Sequence, residues 1–105
     1  MTPRENIISK AELMKMLQCN TERLVDIEYL FHELANGDMN HKNIDRIFKE
    51  KFSYTPHQVH LILNYYYFEI LTFGDVCLAY IKSFGNKVPE TLRTVEEDLK
   101  TKKLL

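Results

Sequence analysis

Along the chain, apolar residues return every three to four positions in stretches separated by polar punctuation, the pattern of successive amphipathic helices. The opening Thr2-Pro3-Arg4-Glu5 combines a capping residue, proline at the first helical position and a glutamate placed to complete a capping box. It predicts a first helix reaching about Gln18, with Ile7, Ala11, Met14 and Leu17 on one face and Ile8 beside it. Asn20 or Thr21 caps a second helix, whose Leu24, Ile27, Phe31, Leu34 and Ala35 stripe ends at Asn36-Gly37. A third starts at Asp38 or Asn40, gathers Ile44, Ile47, Phe48 and Phe52 on one side, and stops at Ser53-Tyr54.

Thr55-Pro56-His57-Gln58 repeats the opening logic with glutamine in place of glutamate and starts a fourth helix over about residues 56–72. Val59, Ile62, Leu63, Tyr66 and Ile70 make one of its faces, and Leu61, Tyr65, Phe68 and Leu71 another. Beyond Asn64 it is apolar almost all round, so other elements must enclose it. Its tyrosine and phenylalanine run also suits a buried strand, but the length and the cap favour helix. Gly74-Asp75 breaks the pattern before a fifth helix, about Val76 to Phe84, with Val76, Ala79, Tyr80 and Phe84 inward and Gly85-Asn86 as its stop. Pro89 opens a sixth, peripheral helix with a narrow Leu92, Val95 and Leu99 stripe and lysines in its last turn. The expected fold is all-α: a single domain over residues 1–105, a compact five- or six-helix bundle around the central apolar helix.

Composition agrees with a folded domain, since 45% hydrophobic and 28% charged residues leave enough apolar surface for one core. Fourteen basic against fifteen acidic residues, with both signs interspersed, supply no bulk attraction to nucleic acid or anionic lipid. The longest apolar stretch, Val59 to Phe73, is interrupted by His60, Asn64 and Glu69 and is shorter than the roughly 20 residues of a membrane span. Cys19 and Cys77 form no CxxC pair, and the start of the chain lacks the apolar core of a signal peptide. Two reduced thiols in the cytoplasm are expected.

Chemistry-bearing motifs are absent. Gly37, Gly74 and Gly85 all fall at helix breaks, so neither a phosphate loop nor a dinucleotide fingerprint assembles. Ser9, Ser53 and Ser83 lack a nucleophile-elbow context, and neither cysteine has a neighbouring histidine. Asp38-Met39-Asn40-His41-Lys42 resembles the start of a calcium loop but lacks its glycine and closing glutamate. His57 and His60 supply only two of four metal ligands. The reading is a protein that is not an enzyme, with no cofactor, no metal and no small-molecule substrate.

Two surfaces remain. Residues 45–64 resemble a helix-turn-helix, with Phe48, Phe52, Tyr54, Val59 and Ile62 at its buried positions. That resemblance implies a DNA-binding regulator whose His57, Gln58, His60 and Asn64 face the groove, glutamine and asparagine being able to read adenine edges. Against it, Lys49 stands where a small residue is usual, Ser53 where glycine is frequent, and the would-be recognition helix holds no Lys or Arg. On the second helix, Val25, Tyr29 and His32 form a stripe separate from the core face, rimmed by Glu22, Asp26 and Glu33. The stripe either meets another helix of the same domain or serves as an aromatic anchor; with no catalytic constellation and no basic surface, the reading is a regulatory or inhibitory protein that binds another protein, or a second copy of itself as a homodimer.

Overall fold

The computed structural model describes residues 8–70 and 73–105. Over these the chain forms six α-helices and no strand: α1 Lys10–Leu17, α2 Thr21–Leu34, α3 His41–Phe52, α4 Pro56–Glu69, α5 Gly74–Lys82 and α6 Arg93–Thr101. A 3-10 turn, Glu90–Leu92, leads into α6. Four caps explain four of the starts. Ser9, Asn20, Asn40 and Thr55 each accept a hydrogen bond from the backbone N–H three residues on, satisfying a donor that the helix itself cannot. At α4 the box is complete, because the Gln58 side chain accepts from Thr55 N–H at 2.9 Å while Thr55 Oγ1 accepts from Gln58 N–H at 3.3 Å.

The expected start of α1 is corrected. Ser9 is extended, and its hydroxyl takes the Glu12 N–H at 3.1 Å, so α1 begins at Lys10. The Thr2-Pro3 cap and Ile7 lie outside the described residues. Within α1, Leu17 is in the core as expected and Leu13 joins it, while Met14 is half-buried and Ala11 exposed. In α2, Leu30 joins the buried stripe and Ala35, past the helix end, is exposed. The fourth helix ends at Glu69, with Ile70 already extended; Leu71 and Thr72 are outside the described residues. In α5, Cys77 and Ile81 are buried beside Val76 and Tyr80, while Ala79 and Phe84 are half-buried. The α6 stripe sits deeper than a peripheral helix requires: Leu92, Val95 and Leu99 all belong to the core.

Helix α4 is the hub, packing on α1, α3, α5, α6 and the 3-10 turn. It reaches α2 through its rings, Tyr66 lying 5.8 Å from Phe31 between centroids. Phe31 in turn stacks on Phe73 at 4.5 Å and meets Phe48 at 5.8 Å, so α2, α3 and the start of α5 share one aromatic cluster. Three buried tyrosine hydroxyls then tie helices together. Tyr66 donates to Leu24 C=O at 3.3 Å, Tyr67 to Asp98 at 2.6 Å and Tyr80 to Asp45 at 2.6 Å, linking α4 to α2, α4 to α6 and α5 to α3. Burial and the adjoining carboxylates raise the Tyr67 and Tyr80 phenols well above their usual range, so both stay protonated as donors. A Cα radius of gyration of 12.8 Å is that of a chain this long folded around one core.

Candidate protein-binding surface

Helix α2 divides its side chains sharply. Leu24, Ile27, Leu30, Phe31 and Leu34 are buried, whereas Val25 is 43% and Tyr29 67% exposed, with His32 also exposed. The stripe inferred from spacing is therefore on the surface. Of the six tyrosines and six phenylalanines, Tyr29 alone is exposed; every other ring is buried or half-buried. A large aromatic left in water forgoes about 1.5 to 3 kcal/mol of burial, which a docking partner recovers.

Val25 and Tyr29 form a ridge between two grooves. One, of about 390 Å3, runs along Asp26, Leu30, Glu33, Lys51 and Phe52. The other, of about 250 Å3, is bounded by Thr21, Glu28, Tyr65, Glu69 and Lys10. With Glu22 at the start of α2, five carboxylates surround the ridge against two lysines, and Lys51 is already paired with Glu33 at 3.4 Å. The field is felt locally: burial, then the Glu69 and Glu28 carboxylates, push the Tyr65 phenol above its ordinary value.

The helix-turn-helix resemblance fares differently. Its packing half is present: Phe48, Tyr54, Val59 and Ile62 are buried, Phe52 is half-buried, and Ser53 adopts the left-handed conformation at the turn (φ 61°) usually taken by glycine. Its reading half is absorbed by the fold, which corrects the outward placement inferred for α4. Asn64 is 3% exposed, its carboxamide oxygen accepting from Ile8 N–H at 3.3 Å and its NH2 donating to Thr91 C=O at 3.0 Å. Gln58 is held in the α4 cap, half-buried. His60 is half-buried between Tyr80 and Phe84, at 5.9 and 6.1 Å, and burial lowers its basicity. Among the four, His57 alone is exposed.

No group of three or more His, Cys, Asp or Glu side chains suited to a metal occurs among the described residues. Nor is any described helix long and apolar enough to cross a membrane. Cys19 and Cys77 are both free thiols. Among known protein families, curated proteins and solved structures, none matches this chain.

Proposed function

We propose that this chain is a non-catalytic regulatory protein of the cytoplasm that binds another protein through the outer face of α2. The observation that carries the reading is the exposure of Tyr29 on a ridge whose surround is acidic. Such a surface suits a basic amphipathic helix, whose apolar residues cover Val25 and Tyr29 while its lysines and arginines meet Glu22, Asp26, Glu28 and Glu69. Rim charges of this kind steer the encounter and select the partner; the affinity comes mainly from the aromatic anchor. Two free cysteines are in keeping with a reducing compartment.

The test is a parallel capture from native-host lysate with wild-type and Tyr29→Ala baits, each with and without nuclease, read by quantitative mass spectrometry. A protein held by wild type, depleted on the variant and indifferent to nuclease supports the reading. Capture that is equal on both baits, or that vanishes with nuclease, overturns it.

A further inference from the structure

Five large apolar side chains are exposed among the described residues: Met16, Val25, Tyr29, Leu104 and Leu105. Two of them make the α2 ridge, and two others stand just past α6. There Lys103 takes the left-handed conformation (φ 61°), its N–H donating to Lys100 C=O at 3.0 Å while Leu104 N–H donates to Leu99 C=O at 2.9 Å. Glycine is the ordinary residue at that position, so a lysine is kept there against the local preference. The closure fixes Leu104 on the end of α6 and still leaves it 48% exposed, with Leu105 at 40%.

Leu105 also bounds a groove of about 520 Å3 between the end of α5 and α6, where Ile81 adds apolar surface and Lys82 and Lys100 stand in the lining. The acid in that lining, Glu96, is already met by Lys100 at 3.8 Å, and Lys102 holds Asp98 at 2.8 Å. Lys82 and Lys103 pair with no carboxylate among the described residues. The groove is thus concave, partly apolar and basic, whereas the α2 ridge is convex, apolar and ringed by carboxylates. Both surfaces belong to helices packed on the one core, so neither reaches the other within a single chain.

We propose that the α2 ridge of one copy docks in the α5–α6 groove of a second copy. Tyr29 enters beside Ile81 and Leu105, and the acidic surround of the ridge meets Lys82 and Lys103. Few exposed apolar side chains on each side make a small contact, in the class of weak and transient encounters, so the dilute protein is a monomer with its ridge free. The inference rests on the ridge being the docking surface proposed above and supplies its regulation. A second copy and the partner compete for Tyr29, so a rising concentration of the chain withholds the ridge from the partner.

The experiment is sedimentation velocity with parallel NMR on the full chain, from about 10 μM to about 1 mM at low ionic strength. Wild type is expected to sediment faster as concentration rises, with amide shifts gathered at residues 25–29, 81–86 and 100–105. Asp26→Lys and Lys82→Glu, both at exposed positions, are each expected to weaken self-association about tenfold or more. An equimolar mixture of the two is expected to restore it, because the groove of the first and the ridge of the second are intact. Leu105→Ser replaces Lys82→Glu, with the same expected result, if the latter lowers the melting temperature. No concentration dependence, shifts confined to other residues, or variants that stay apart when mixed would overturn the proposal. A wild type that stays monomeric while Tyr29→Ala loses a captured protein overturns the contact between copies alone. Restored association in the mixture, with capture equal on both baits, supports that contact and overturns the partner reading alone.

Discussion

Tyr29 and Phe31 are two residues apart on α2 and have opposite fates: Phe31 is 1% exposed at the centre of the aromatic cluster, while Tyr29 is 67% exposed. A helix rotates about 200° over two residues, so one ring is spent on the core and the other is held out rigidly on the same rod. Truncating each therefore makes opposite demands on stability. Tyr29→Ala is expected to shift unfolding free energy by no more than about 0.5 kcal/mol, the range of surface substitutions. Phe31→Ala is expected to cost roughly 3 to 5 kcal/mol. Urea denaturation of the two variants, repeated across protein concentrations, checks both; a concentration-dependent loss in Tyr29→Ala would show the ridge buried between two copies.

Asn64 is the structural counterpart of a residue that spacing alone offers to DNA. Its two hydrogen bonds hold the chain before α1 and the 3-10 turn against the middle of α4. Asn64→Ala is expected to destabilise the fold by about 2 kcal/mol or more, because two backbone groups lose their partner. A melt indistinguishable from wild type would contradict this role.

Acid should loosen the packing of α4 on α5, where His60 lies against Tyr80 and Phe84. Burial holds His60 below its ordinary value of 6.5, against the opposing pull of Asp45 and with help from His57 and His41. The unfolded chain takes up a proton near pH 6.5 that the folded chain resists until lower pH, so stability is full above 6.5 and is lost as pH falls below it. Denaturant midpoints measured from pH 7.5 to 5 are expected to decline, and His60→Phe to flatten part of that decline. An unchanged slope in the variant would remove His60 as its source.

The two thiols should differ in access. Cys77 is buried in α5, its Sγ 3.9 Å from Leu63 C=O, whereas Cys19 is half-buried at a cleft wall. A thiol reagent is expected to label Cys19 in the native protein and Cys77 only after unfolding. Equal native rates would contradict the packing of α5, and no labelling after unfolding would mean a disulfide.

Much of this architecture is legible in the sequence because caps and apolar periods are local. Asn20, Asn40 and the Thr55-Gln58 box mark their helices without reference to anything distant. The start of α1 is ambiguous because Ser9 and Glu12 form a second capping pair, the Ser9 hydroxyl reaching the Glu12 carboxylate at 3.0 Å. The Val25, Tyr29 and His32 stripe is visible as a second period on α2. Asn64 is not legible, since its partners lie 56 and 27 residues away in sequence.

The most direct test of the central claim is the affinity of the captured partner, purified, for wild type, Tyr29→Ala and Asp26→Lys, measured by calorimetry at two salt concentrations. The account predicts that Tyr29→Ala weakens binding by about 2 kcal/mol or more while its melt is unchanged. It predicts that Asp26→Lys weakens binding at the lower salt concentration and reduces the salt dependence. Equal affinities for all three proteins would contradict the assignment of the α2 ridge as the binding surface.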